Sequence, residues 1–318
     1  MMRLLTLSGF QRVSLAGLLL GAGLIIMSVD CLMAQPPKPV FDGQSAFTIL
    51  YEQVKLGSRV PGSKAHDDAV AWFTEWFEES GATVKHQKFH AAIPQHPTPD
   101  SDFRSVEGVN IIARFGSKHI PDMLLCAHYD CRPWADSDPD PSKWSQPIPG
   151  ANDGASGVAV LMELARLFAE NPPPITVEIV LFDLEDAGIE GDNASWAIGS
   201  SHFAKHYAGS APAKAILLDM IGDSDLQIKQ EYFSLVYARE WTEEIFRVAE
   251  EVGSWAFDPQ PGQAVYDDHV PLLKAGFQIV DLIDFDYPYW HTMMDSPAAC
   301  SAQSLEQVGR VLVHLIYN

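Results

Sequence analysis

The sequence predicts a single α/β domain whose central sheet is twisted, mostly parallel and covered by helices on both faces. Two observations favour this class. The chain has 318 residues and 47% hydrophobic content, enough for one large core. Short apolar runs alternate with amphipathic segments, as in sheets that carry helices on both sides. We expect the domain to span residues 36 to 318, because no segment within it is long enough to act as a linker.

The predicted elements follow in chain order. A helix over 65–80 places Val70, Phe73, Trp76 and Phe77 on one face, and a second over 156–169 repeats that spacing. Strands are predicted at 82–90, 110–115, 123–127, 175–182, 215–218 and 278–283, with further helices at 241–252 and 303–316. The early strands are candidates for antiparallel pairing at an edge. Segment 92–105 is predicted to be a surface loop.

The first 34 residues resemble an export signal. Arg3 and Arg12 precede an uncharged apolar run over 13–29, and Ala34 favours cleavage before Gln35. The run is short for a membrane span, although an uncleaved anchor or a lipid-modified Cys31 are alternatives. The pattern therefore predicts a periplasmic or secreted protein.

The charge balance is strongly acidic. Asp and Glu number 42 against 21 Lys and Arg, a formal net charge of −21. Nucleic acid and anionic membrane surfaces bind through Lys and Arg, so we expect no nucleic-acid partner and no stable membrane partner. A cationic ligand, such as the free amine of a peptide N-terminus, would not be repelled.

Cysteine usage excludes two kinds of site. Cys31 lies in the export segment, which leaves Cys126, Cys131 and Cys300 in the domain. Their number and spacing do not form a disulfide framework, although a single pairing remains open. No C-x-x-C pair occurs, so a thiolate zinc site is not expected.

Polar residues follow most of the predicted buried strands. In parallel sheets the binding site lies at the carboxyl ends of the strands, so these residues are expected to converge. They include His128, Asp130, Asp183, Glu185, Asp186, Asp219, Asp284, Asp286 and His291.

Five residues are candidate metal ligands, because imidazole nitrogens and carboxylate oxygens form zinc sites of the hydrolytic type. They are His128, Asp153, Asp186, Asp219 and His291. Taken alone, Asp153 would be a helix N-cap and the others hydrogen-bonded or solvated residues. Their convergence at strand ends favours a metal site.

Glu185 and Asp268 are candidates for proton chemistry. Neighbouring side chains point in different directions, so Asp186 can bind a metal while Glu185 faces a substrate as general base and acid. Asp268 is either a buried acid near the site or a loop acid before a helical turn at 271–274.

At these residues the sequence resembles the zinc-dependent glutaminyl cyclases of animal type and their bacterial relatives. Those enzymes share a fold with the co-catalytic zinc aminopeptidases. The matching segments occur in the family's order along nearly all of residues 36 to 318. They are 57–63 (GSRVPGS), 127–130 (AHYD), 150–157 (GANDGASG), 182–186 (FDLED), 217–222 (LLDMIG), 267–273 (DDHVPLL) and 290–293 (WHTM).

The resemblance implies an activity and a role for each matching residue. It implies cyclisation of the N-terminal glutamine of peptides or proteins to pyroglutamate, with release of ammonia. One zinc ion would be held by Asp153, Asp186 and His291. Glu185 would carry the proton, Asp219 and Asp268 would form an acidic network with it, and Trp290 would line the pocket.

The sequence departs from the family pattern at three positions. Asp186 stands where the family has a second glutamate. Gly191 stands where the animal enzymes carry a pocket tryptophan, with Trp196 nearby in the chain. Val158 occupies a position expected for cysteine, so the animal disulfide is not reproduced.

Two other functions remain open. A two-zinc aminopeptidase would use His128 and Asp219 as ligands of a second ion. The segment 267–269 and Trp290 favour the cyclase. A non-catalytic binding protein on the same fold is disfavoured by the intact Glu185.

The loop over 132–149, which contains Trp134 and Trp144, either rims the entrance or is a surface insertion.

Overall fold

The computed structural model describes residues 38–318. The predicted export signal at residues 1–34 lies outside these residues and stays a prediction. Within the described range, no helix combines the length and the apolar character needed to cross a bilayer.

The described residues form a six-stranded mixed sheet in the order β1-β2-β4-β3-β5-β8. β1–β2 and β2–β4 are antiparallel, whereas β4–β3, β3–β5 and β5–β8 are parallel. A parallel pair, β6 and β7, lies outside this sheet. The strands are β1 Thr83–Pro94, β2 Phe103–Phe115, β3 Met123–His128, β4 Val177–Phe182, β5 Lys214–Asp219, β6 Ile228–Gln230, β7 Phe257–Pro261 and β8 Ile279–Ile283.

Helices cover both faces of the sheet, which confirms the predicted fold class. They are α1 Gly43–Lys55, α2 Lys64–Glu79, α3 Ala155–Glu170, α4 Ile198–His206, α5 Tyr232–Tyr237, α6 Arg239–Glu251, α7 His269–Lys274 and α8 Ala302–Tyr317. Successive residues of a strand point to opposite faces. Leu125 of β3 accordingly packs in the core formed with α1, α2, α3, α6 and α8. Its neighbours Leu124 and Cys126 pack against Phe203 of α4 and Leu272 of α7.

The structure differs from the sequence prediction at the first hairpin. β1 and β2 pair continuously from Thr83↔Arg114 to Pro94↔Phe103, so the connecting loop covers only 95–102 instead of 92–105. The sequence prediction also lacked the helices α1, α4 and α5 and the short strands β6 and β7. α1 begins after the Asp42 N-cap, whose carboxylate accepts hydrogen bonds from the backbone N–H groups of Gln44 and Ser45. The cysteines of the described chain, Cys126, Cys131 and Cys300, are buried and unpaired.

The register of the parallel strands sets the location of the site. His128 at the end of β3 lies opposite Phe182 at the end of β4, and Asp219 at the end of β5 lies opposite Ile283 at the end of β8. The residues that follow these strands therefore meet at one edge of the sheet, as expected for a parallel arrangement.

Candidate active site

The sheet edge brings the five candidate metal ligands into two overlapping groups. Ligand atoms of Asp153, Asp186 and His291 lie within 4.8 Å of one another, and so do those of His128, Asp153 and Asp219. All five side chains are buried or nearly so. Asp153 belongs to both groups, because one carboxylate oxygen faces each.

The first group has the donor set that a zinc ion requires. Nε2 of His291 lies 3.1 Å from Oδ1 of Asp186 and 3.7 Å from Oδ2 of Asp153. Oδ2 of Asp153 and Oδ2 of Asp186 are buried and have no hydrogen-bond partner within residues 38–318. Buried carboxylate oxygens are normally hydrogen-bonded or bound to a cation. One imidazole nitrogen and two such oxygens therefore fit a metal with an open coordination position.

His128 holds the second group together by direct contacts. Its Nε2 lies 3.2 Å from Oδ1 of Asp153 and 3.2 Å from Oδ1 of Asp219. Burial alone would lower the pKa of His128, but hydrogen bonds to Asp130, Asp153 and Asp219 raise that pKa well above its ordinary value. The imidazole thus forms ion pairs with acids that would otherwise repel one another.

Asp153 does not cap the helix that follows it. The N-cap of α3 is Gly154, and no side chain makes a capping hydrogen bond there. The Asp153 carboxylate is instead directed towards His128 and His291. The capping alternative is therefore excluded by the geometry.

Glu185 lies in the same cavity as the first metal group. Together with Asp153, Asp186, Trp290 and His291 it lines a cavity of about 370 Å³. Burial raises the pKa of Glu185 well above its ordinary value, and the charges of nearby acids, foremost Asp267, raise it further.

Asp219 and Asp268 do not form the expected hydrogen-bond network with Glu185. In the described chain, no hydrogen bond joins the Glu185 carboxylate to Asp219, which contacts His128, or to Asp268. Asp268 is fully buried, and burial raises its pKa to about 7. Asp267, which the sequence analysis did not select, lines the cavity. Asp267 and Asp268 interact with Glu185 through their charge.

The rings of two tryptophans lie roughly parallel to the imidazole of His291. The Trp290 ring stacks on the imidazole with centroids 3.7 Å apart, and the Trp196 ring lies nearly parallel to it at 6.0 Å. Both indoles line the cavity. Trp196 thus supplies an aromatic wall although Gly191 occupies the family's tryptophan position. Burial and the positive charge of Arg132 lower the pKa of His291 well below its ordinary value, so the imidazole is neutral.

Two buried aspartates that the sequence did not single out for a role position the turns that carry the ligands. Asp130 accepts hydrogen bonds from the backbone N–H groups of Glu185 and Asp186. Asp295 accepts them from the backbone N–H groups of Asn152 and Asp153, and also from the Tyr287 hydroxyl. Each acid therefore fixes the backbone of one ligand-bearing turn.

Arg132 stabilises the turn that carries Glu185 and Asp186. Its buried guanidinium donates to the backbone carbonyls of Asp186 and Gly188 and to the Asp136 carboxylate. Its charged group also lies 4.8 Å from the centroid of the Trp196 ring. No residue of the 132–149 loop is among those that line the cavity, and through Arg132 the loop contacts the turn that carries Asp186.

The turns around the site hold strained backbone conformations. Leu184, Met220 and His291 are three of the four non-glycine residues with positive φ in residues 38–318, at 58°, 46° and 56°. Leu184 is next to Glu185 and Met220 is next to Asp219, and His291 is itself a candidate ligand. Such conformations cost energy and concentrate at functional sites.

A glycine makes room for the Trp196 ring. A Cβ on Gly188 would lie 2.1 Å from Cδ2 of Trp196. We expect Gly188→Ala to lower the free energy of unfolding by about 1–3 kcal/mol through overpacking. In a Trp196→Ala background the same substitution should cost much less, because the clashing ring is absent. Denaturant titration of the four proteins of this cycle measures the coupling. An equal cost in both backgrounds would contradict the packing.

Comparison with known proteins identifies the family of the chain. The profile of Peptidase family M28 matches residues 110–316. The chain superimposes on a Bacteroides thetaiotaomicron glutaminyl cyclase bound to N-acetylhistamine, with a TM-score of 0.81 and 31% identity over 88% of this chain and 99% of that one. It superimposes equally on a Zn-dependent exopeptidase from Parabacteroides distasonis, with a TM-score of 0.82 and 32% identity over the same shares of each chain.

A curated relative with an assigned activity matches over a shorter span. The aminopeptidase YwaD of Bacillus subtilis is 27% identical over 231 residues, which are 68% of this chain. The chain spans about half, 46%, of that relative's length. The family profile covers well over half of the chain, and the fold, the strand-end site and the solved neighbours agree with it. The chain belongs to peptidase family M28.

Proposed function

We propose that this protein cyclises the N-terminal glutamine of peptides or proteins to pyroglutamate and releases ammonia. One observation carries the proposal. Among the five candidate metal ligands, the carboxylate oxygens without a hydrogen-bond partner are Oδ2 of Asp153 and Oδ2 of Asp186, beside Glu185, whereas Asp219 is paired with His128. This distribution favours one metal ion next to a proton carrier.

Asp153, Asp186 and His291 would hold this ion, which we propose is zinc. The donor set of one neutral imidazole and two carboxylates fits zinc, and the superimposed exopeptidase is described as zinc-dependent. When bound, the metal supplies Lewis-acid polarisation of the γ-carbonyl of the glutamine side chain. Asp186 has a shorter side chain than the glutamate of the family pattern, but it still reaches the other proposed ligands. Its Oδ1 lies 3.1 Å from Nε2 of His291.

Glu185 carries the proton in the proposed reaction. The α-amine nitrogen attacks the γ-carbonyl carbon of the same residue, which forms the carbon–nitrogen bond of a five-membered lactam. Glu185 accepts a proton from the attacking amine and donates it to the departing amide nitrogen, which leaves as ammonia. Glu185 lines the same cavity as the proposed metal ligands, which supports its role in both proton transfers.

The walls of the cavity suit a reaction that consumes no water. Trp290 and Trp196 are half-buried indoles that both lie roughly parallel to the His291 ring, and they limit the access of solvent to it. Buried acids of the lining, among them Asp219 and Asp267, make the cavity favourable for a cationic α-amine. These features favour peptides with a free N-terminal glutamine as partners.

A zinc aminopeptidase is the second candidate. His128, Asp153 and Asp219 lie within 4.8 Å of one another, so a second ion that displaced their direct contacts would have three ligands. The aminopeptidase relative and the superimposed exopeptidase favour this activity, whereas the superimposed cyclase favours the first. The pairing of His128 with Asp219 favours one ion.

The export pattern of residues 1–34 supports a location outside the cytoplasm for the proposed reaction. Arg3, Arg12 and the apolar run 13–29 support this location. Peptides and proteins that are themselves exported would then be the accessible substrates.

Two short peptides test the proposed activity. We expect the zinc-loaded protein to convert a glutamine-starting peptide into a product lighter by one ammonia, and to leave an alanine-starting peptide intact. Mass spectrometry of both reactions, with an enzyme-free sample to correct for spontaneous cyclisation, measures this difference. Release of free amino acids from either peptide would favour the aminopeptidase and contradict the proposal.

A further inference from the structure

A second cavity adjoins the candidate active site. It has a volume of about 350 Å³ and shares two wall residues, Asn193 and Tyr266, with the catalytic cavity. The remaining wall comes from α5 and α7. The side chains that form it include Phe233, Tyr237, Val270 and Leu273.

The walls of this cavity are largely aromatic and aliphatic. Tyr237 is 61% exposed although its ring is large, and Phe233, Tyr266 and Leu273 are half-buried. Exposed apolar surface of this kind, next to a functional cavity, is typical of a binding site. Lys274 also lines the cavity, and its charged group lies 5.1 Å from the centroid of the Tyr266 ring, which gives it a cation–π contact.

A different cavity that also adjoins the catalytic cavity has the opposite chemistry. It shares Val265, Ile283 and Phe285 with the catalytic cavity, but its walls carry Lys229, Glu231 and Asp286. Lys229 and Asp286 form an ion pair. An apolar side chain placed there would desolvate charged groups without replacing their hydrogen bonds, which is unfavourable.

We propose that the cavity between α5 and α7 binds a large apolar or aromatic side chain of the substrate, carried by the second or third residue of the peptide. This inference rests on the proposed function. A peptide whose N-terminal residue occupies the catalytic cavity has to continue out of it. The shared wall at Asn193 and Tyr266 gives that continuation direct access to apolar surface.

Three peptides test this specificity in the zinc-loaded protein: Gln-Ala-Ala-Ala, Gln-Phe-Ala-Ala and Gln-Ala-Phe-Ala. We expect kcat/KM for at least one phenylalanine peptide to exceed that of the alanine peptide by about tenfold or more, the size expected for burying much of a phenyl ring. Isothermal titration of the three peptides into the Glu185→Gln variant, which should not turn them over appreciably, measures the same preference as a ratio of dissociation constants. This second readout does not depend on turnover.

Tyr237→Ala and Leu273→Ala should reduce the phenylalanine-to-alanine ratio towards one in both measurements. Val236→Ala is the matched control, because Val236 is exposed on the same helix and does not line the cavity. It should keep the ratio of the unmodified protein. An equal loss of the ratio in Val236→Ala, or a ratio near one in the unmodified protein, would overturn the inference.

The two readouts separate this inference from the proposed function. Cyclisation of all three peptides with equal kcat/KM and equal affinity would remove the apolar subsite and leave the activity standing. Preferential binding of a phenylalanine peptide without any cyclisation would support the subsite and remove the proposed activity.

Discussion

Glu185→Gln should abolish most of the turnover while zinc stays bound. The amide has nearly the same size as the carboxyl group but cannot accept a proton from the attacking amine. General acid–base catalysis contributes about a hundredfold to ten-thousandfold, so kcat should fall by that factor. The proposed ligands Asp153, Asp186 and His291 are unchanged, so the metal content measured by elemental analysis should remain that of the unmodified protein.

Glu190→Gln is the matched control for this variant. Glu190 lines the same cavity, and its substitution removes one negative charge by the same chemical change. Its side chain is exposed, whereas Glu185 is only 8% exposed. We expect Glu190→Gln to keep kcat within about threefold, since its exposed charge is screened by solvent. Near-normal turnover in Glu185→Gln would show that this residue does not carry the proton.

Asp186→Ala should release the metal. It removes one of two carboxylates from the proposed ligand set and leaves only Asp153 and His291. Substitutions outside the ligand set commonly lower metal affinity by about tenfold to a hundredfold, so loss of a ligand should exceed a hundredfold. Competition with a chelator of known zinc affinity measures the dissociation constant.

Two further variants show how much of the loss of zinc affinity depends on removal of a ligand. Asp295→Asn keeps every ligand but weakens the acceptors for the N–H groups of Asn152 and Asp153, so we expect an intermediate loss of about tenfold to a hundredfold. Asp192→Ala removes an exposed acid from the same loop as Asp186 and should leave zinc affinity unchanged. Equal zinc affinity in Asp186→Ala and the unmodified protein would exclude Asp186 as a ligand.

The sequence predicted the location of the site because the location depends on strand direction. Parallel strands carry their following residues to one edge, so His128, Asp186 and Asp219 could be grouped without knowing the order of the strands. The mixed α/β fold followed from the same alternation and is confirmed. The identity of the family followed from the ordered set of short segments.

The supporting residues could not be predicted in the same way. Asp295 follows His291 by four residues and resembles an ordinary loop acid; only the folded chain brings it against the Asn152 turn. Arg132 begins a proline-rich loop, and its buried contacts with Asp186 and Gly188 depend on how that loop folds back. Roles that depend on contacts between distant segments have no local signal in the sequence.

The orientation of neighbouring side chains also could not be predicted from the sequence. The pair Asp267 and Asp268 precedes α7, and the start of that helix decides which carboxyl lines the cavity. Trp196 reaches the cavity because Gly188 leaves space for its ring, although the aligned position is Gly191. A sequence pattern places such residues near a site but does not show which of them faces it.

The most direct test of the central claim is the oxygen content of the product. Lactam formation uses no water, whereas an aminopeptidase adds a water oxygen to the carboxylate it releases. The zinc-loaded protein is incubated with the glutamine-starting peptide in water labelled with heavy oxygen, and the products are weighed by mass spectrometry. We predict a product that has lost ammonia and carries no label. Labelled glutamine, or a labelled peptide, would contradict the proposed cyclisation.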